Sequence, residues 1–317
     1  MAKYSAPLVL LLSLLLPVLS SAETADQTAI AKSAALIRAG KVQQAETMLR
    51  SASAANPNSA PLHGALGELL LKEHNYEESV QEFGLAAQQD PNSGEYNLLL
   101  SEALIGWKHY GVAVDFLNAV RSKFGNEPQF HYDLGLAYYN MNKLNEAQKE
   151  FQESVHLAPT FDRAEFMLAA CFASTGETGK AIEIFRKLTR EHPKTAVYWV
   201  VLGQVLGKTG GSNGPEAVRA VRKALVLTPD DPHTQFVAAT VFVQTEDFAS
   251  ARPLLEHVEK VSPDVLEVHV QLARVYARMG QRELARKETL IANQLQKQRT
   301  AETPMVPADQ QNGSQQP

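Results

Sequence analysis

Apolar and small residues recur along this chain in one repeated phrase. In "NEAQKEFQESVHLAP" (145–159) a small residue, Ala147, is followed four positions on by Phe151, and Pro159 closes the segment. "GKAIEIFRKLTREHP" (179–193) has the same shape with Ala181, Phe185 and Pro193. Prolines 57, 91, 159, 193, 229 and 263 are spaced by 34, 68, 34, 36 and 34 residues, with Gly125 near the one skipped slot. When each proline is numbered position 32 of its unit, units start at 26, 60, 94, 128, 162, 196, 232 and 266. Position 8 is then always small: Ser33, Gly67, Ser101, Gly135, Ala169, Gly203, Ala239 and Ala273. Position 20 is Ala or Ser in seven units, and in the unit at 196 the matching Ala217 comes two residues late.

This pattern predicts two helices per unit. Positions 4, 7, 8 and 11 fall on one helical face, and positions 20, 24, 27 and 28 fall on a second, because both sets follow 3.6 residues per turn. Turns rich in Gly, Asn and Asp separate them, as in "AGK" at 39–41. Small residues at positions 8 and 20 let the two backbones approach. The proline at 32 cannot continue the second helix. Each helix pair leaves an apolar face that only the next pair can cover, so the units must stack.

"WVVLGQVL" (199–206) and "HYDLGLAY" (131–138), with the small-x3-Phe spacing and the closing proline, resemble the tetratricopeptide repeat (TPR). The resemblance covers eight units, from about 26 to 299, and implies an all-α, right-handed superhelical solenoid. Three departures stand out. The third unit lacks its proline, the eighth has Thr289 where an aromatic is expected, and the sixth carries two extra residues in "KTGGSNGPEA".

Other segments extend the picture. Lys3, an apolar run from Ala6 to Leu19 and "SSA" at 20–22 describe a secretory signal peptide, so residues 1–22 are expected to be removed and the protein exported, to a periplasm or beyond. The run is shorter than the roughly 20 residues a spanning helix needs. The repeats then occupy 23–299, and 300–317 reads as a disordered polar tail.

Charge and candidate chemistry narrow the function. A net charge of −5 without a basic patch lacks the footprint of nucleic-acid binding. The single Cys171 allows no intrachain disulfide, and at position 10 it reads as an inert core thiol. "GQVLGKTGG" (203–211) has three residues where a phosphate-binding loop needs four, and it follows a helix. His63, His131 and His269 all sit at position 4, where Trp199 sits in its own unit, and read as interhelix packing residues with one polar edge. No catalytic motif, metal or cofactor site is expected.

What remains is surface. The resemblance implies that positions 2, 5, 9, 12 and 13 of each first helix line a concave groove that holds a peptide segment or helix of a protein partner. The candidate groove residues are Glu102, Tyr132, Tyr139, Asn140, Arg163, Phe166, Val200, Gln204 and Phe236. The expected function is a non-enzymatic interaction scaffold. Self-assembly, or service as an accessory subunit of an envelope or secretion complex, are the alternatives.

Overall fold

The computed structural model describes residues 12–302, and these contain sixteen α-helices and no strand. The chain divides into two compact units at Cys171/Phe172.

The first unit holds α1 (Leu12–Arg38), α2 (Val42–Ala55), α3 (Ala60–Lys72), α4 (Tyr76–Gln89), α5 (Gly94–Gly106), α6 (Tyr110–Phe124), α7 (Pro128–Asn140), α8 (Leu144–Leu157) and most of α9 (Asp162–Ser174). The second holds α10 (Thr178–Glu191), α11 (Ala196–Thr209), α12 (Gly214–Leu227), α13 (Pro232–Gln244), α14 (Phe248–Val261), α15 (Leu266–Arg278) and α16 (Arg282–Glu302). Each unit is a solenoid of antiparallel helix pairs. The first helices of repeats two to eight start at the residues that the prolines mark as repeat starts. The signal segment 1–22 lies partly outside the described residues, and its boundary with the repeats falls inside α1. Of the polar tail, 303–317 lie outside them, while α16 continues to Glu302. No helix among the described residues is long and apolar enough to cross a membrane.

Small residues at position 8 are required by contact. A Cβ on Gly135 would lie 2.6 Å from the ring of Phe151, and one on Gly203 would lie 2.5 Å from Val221 Cγ1. Val221 occupies the Phe151 slot two residues late, so the extra residues of repeat six are absorbed in a short 3₁₀ turn, Gly211–Asn213, ahead of α12. Phe83, Phe151 and Phe185 are fully buried, as are Ala45, Ala113, Ala147, Ala181 and Ala251 at position 20.

The helix ends follow local backbone rules. Residues before the prolines, such as Asp90 (φ −128, ψ 80) and Ala158 (φ −137, ψ 87), sit outside the helical region because a following proline ring disfavours it. Repeat three has no proline there, and its Gly125 stays helical at φ −66, so α6 runs one residue longer than α4 or α8. Position 15 has a positive φ in all eight repeats. Gly40, Gly176, Gly210 and Gly280 occupy it without strain, and His74, Lys108, Asn142 and Glu246 occupy it at φ near +60.

Position 4 ties each of several repeats to the turn before it. Nε2 of His63, His131 and His269 donates to the carbonyl of Pro57, Gly125 and Pro263, at 3.0, 2.8 and 2.7 Å. Trp199 Nε1 and Gln235 Nε2 donate to the carbonyls of Pro193 and Pro229 in the same way. The histidines therefore pack between helices, but with two polar edges rather than one. Nδ1 of each meets a glutamate nineteen residues on: Glu82, Glu150 and Glu288.

Candidate functional site

In the first unit, α5, α7 and α9 bring Glu102, Tyr132 and Arg163 together around a buried carboxyl, Asp133. The Tyr132 ring lies 5.1 Å from Phe161 and 5.9 Å from Phe151, and the Arg163 guanidinium sits 4.9 Å above it. Burial pushes the phenol of Tyr132 up, against the charge and hydrogen bond of Arg163. Tyr132 is only 6% exposed, so it is a floor beneath the surface and not a groove anchor. The physical reason is its place at position 5, where the seam between consecutive first helices closes over the ring. Arg163 and Glu102 remain exposed.

Asp133 is the residue the repeat pattern did not single out. Its Oδ2 accepts from Ser101 Oγ at 2.6 Å and its Oδ1 from Gln129 Nε2 at 2.7 Å. Burial pushes its pKa up to about 7, and the bonds from Ser101 and Gln129 only partly oppose that. A signal existed in the sequence. Position 6 reads Ala31, Ala65, Leu99, Asp133, Met167, Val201, Val237 and Gln271, with one carboxylate in a mostly apolar column.

The remaining first-unit candidates are spread along the same helices. Tyr139 is half-buried and Asn140 exposed at the end of α7, with Asn140 Nδ2 donating to the Leu136 carbonyl at 2.8 Å. They lie about 10 Å along the helix from Tyr132. Phe166 on α9 is half-buried.

In the second unit, Val200 is 3% exposed and cannot anchor a ligand. It too occupies position 5, where α11 packs on α13. Gln204 and Phe236 are half-buried. Val197, one turn before Val200, is the exposed apolar residue on α11. "GQVLGKTGG" lies on α11 and the turn after it, with Gly210 and Gly211 at positive φ, so it forms no strand-to-helix phosphate loop. Cys171 is buried, which pushes its thiol up to about 11 and leaves it protonated at neutral pH.

Residues 36–103 and 132–196 match family models described as tetratricopeptide repeat. Among curated proteins, a Drosophila melanogaster protein O-mannosyl-transferase, Tmtc3, is 25% identical over 144 residues, 45% of this chain and 15% of its own length. Human protein O-mannosyl-transferase TMTC1 is 30% identical over 99 residues, 31% of this chain and 11% of its own length. The chain thus spans a small fraction of these relatives. Among solved structures, a tetratricopeptide repeat protein from Parabacteroides merdae superposes with a TM-score of 0.62 at 15% identity, covering 80% of this chain and 99% of the other. The Cut9–Hcn1 hetero-tetramer of the APC/C gives a chain with a TM-score of 0.64 at 18% identity, covering 77% of this chain and 48% of its own.

Proposed function

The chain belongs to the tetratricopeptide-repeat family, and from that premise we propose that it is a non-enzymatic scaffold that binds a peptide segment or helix of a protein partner. The observation that carries this reading is Arg163 held over the Tyr132 ring beside Glu102. A guanidinium stacked on an aromatic face loses little freedom when it donates to a partner's carboxylate or backbone carbonyl. Glu102 offers the opposite charge on α5, across α7 from Arg163, which would set the partner's direction. Phe166, one turn on from Arg163, and Tyr139, about 10 Å along α7 from Tyr132, supply apolar contact. In the second unit, Gln204 and Phe236 are the matching candidates. The transferase activity named for the fly and human relatives belongs to those proteins, of which this chain matches 15% and 11%. The basic, apolar and small-residue order of residues 3–22 supports export, and so a partner in the periplasm or outside the cell.

A photo-crosslinking residue at position 139 tests the reading, with the same residue at Val112 (53% exposed on α6) as control. Adducts at 139 that vanish in an Arg163→Glu background support the first-helix face. Equal adducts at 139 and 112, or adducts unchanged by Arg163→Glu, reject it.

A second reading has its own observation. Val270 on α15 and Leu284 and Leu290 on α16 are 51%, 43% and 63% exposed, and such apolar side chains on the last repeat favour self-association. Sedimentation over a range of concentrations separates the two, since a monomer throughout removes self-association.

A further inference from the structure

The three His–Glu pairs are equivalent by register, and a third residue distinguishes them. Position 28 of the preceding repeat is Ser53 for the His63 pair, Arg121 for the His131 pair and Glu259 for the His269 pair. At His131 the third residue is a cation, and Arg121 reaches Glu150 at 3.0 Å. At His269 the same slot holds a second carboxylate. One ligand atom each from Glu259, His269 and Glu288 lies within 4.8 Å of the other two. His269 and Glu288 are each 2% exposed.

We propose that Glu259, His269 and Glu288 form a binding site for one divalent cation of the zinc class, joining α14, α15 and α16. The histidine is prepared as a ligand. Its Nε2 donates to the Pro263 carbonyl at 2.7 Å, which leaves Nδ1 to face the carboxylates. Metal-bound histidines commonly have this arrangement, in which the outer nitrogen is held by a backbone carbonyl. Nδ1 and Glu288 Oε2 stand 2.7 Å apart, so a positive charge is required on or between them. Here the second carboxylate leaves excess negative charge, and Lys287, with Nζ 4.0 Å from Glu288 Oε1, stands at its edge. Tyr276 reports the same field: its phenol is pushed up to about 12 by burial, by its bond to Glu256, and by the charges of Glu256, Glu288 and Glu259. One imidazole nitrogen and two carboxylates suit Zn²⁺, with water as the fourth ligand. Ligand atoms around tetrahedral Zn²⁺ are about 3.3–3.5 Å apart, so the His269–Glu288 pair has to open from 2.7 Å while Glu259 swings in. The third ligand comes from the preceding repeat, which is why no local sequence motif reveals the site.

The test is a titration of the chelator-treated full chain with Zn²⁺, and with Co²⁺ as a spectroscopic substitute. The expected result is one saturable equivalent, a raised thermal midpoint and a ¹⁵N shift at Nδ1 of His269. Glu259→Gln should weaken Zn²⁺ affinity by roughly tenfold or more, with its thermal shift read against its own metal-free midpoint. Glu267→Gln, at an exposed carboxylate on α15, should bind as the wild type does. The absence of a saturable equivalent overturns the site, as does equal affinity in Glu259→Gln, or a Zn²⁺ equivalent that leaves His269 Nδ1 unshifted.

Discussion

Nδ1 of His131 and Oε2 of Glu150 lie 2.6 Å apart between α7 and α8, while Nε2 of the same ring donates to the Gly125 carbonyl. Both nitrogens face acceptors, so the ring carries two protons when Glu150 is ionised. Burial lowers the His131 pKa, but the bonds to Glu150 and Gly125 outweigh it and leave it raised above its ordinary 6.5. Burial raises that of Glu150, yet the bonds from His131 and Arg121 hold it below 4.5. The raised histidine contributes stability that is fully present below its unfolded pKa and is lost as pH rises through the folded one. The depressed glutamate contributes stability that is lost as pH falls through its own folded value. Glu150→Gln should therefore cost about 1.5–3 kcal/mol near pH 6. The cost should shrink on the alkaline side to the part owed to Arg121, and shrink again in strong acid. Thermal midpoints of wild type and variant across pH check this, and a cost independent of pH would refute it.

Asp133 carries the opposite sign. Its folded pKa of about 7 lies above the ordinary 3.8, so its ionisation opposes folding increasingly between those values. Asn at this position can accept from Gln129 and donate to Ser101 Oγ, whose single proton is then free to go to the Leu98 carbonyl 2.7 Å away. Asp133→Asn should leave stability unchanged near pH 4 and raise it at pH 8, by about 4 kcal/mol at most. Chemical denaturation at the two pH values measures the difference.

Glu246 sits at φ 62 in the turn between α13 and α14. A left-handed backbone costs a residue with a Cβ about 1–2 kcal/mol. Glu246→Gly should thus stabilise the second unit by about 1 kcal/mol, while Gly280→Ala, at φ 76 in the same slot of the next repeat, should destabilise by a similar amount. Urea midpoints decide the sign.

Gly135→Ala places a methyl within 2.6–2.7 Å of the Phe151 ring, which is fully buried and has no room to withdraw. The expected loss is about 1–3 kcal/mol. Pairing it with Phe151→Leu should recover part of that loss, which a double-mutant cycle would read as coupling.

The repeat was legible because its determinants are local or periodic. Prolines stop helices by their own ring geometry, small residues at position 8 mark where backbones touch, and neither needs knowledge of distant residues. The candidate surface was less legible. Tyr132 and Val200 sit at positions that the repeat assigns to an open face, and tertiary contact closes over both. Asp133 stood in plain sight in its column, but only its burial, partly opposed by the bonds from Ser101 and Gln129, makes it a titrating group near neutrality.

The amino-acid sequence by itself determined the helix pairs and where repeats two to eight begin, because period and backbone sterics act within about one repeat. Only the tertiary structure decided which groove candidates stay accessible, which acceptors face both nitrogens of His131, and that Glu259 stands beside His269 and Glu288. Those outcomes depend on side chains meeting across helices of different repeats, where burial and a neighbour's charge fix the chemistry.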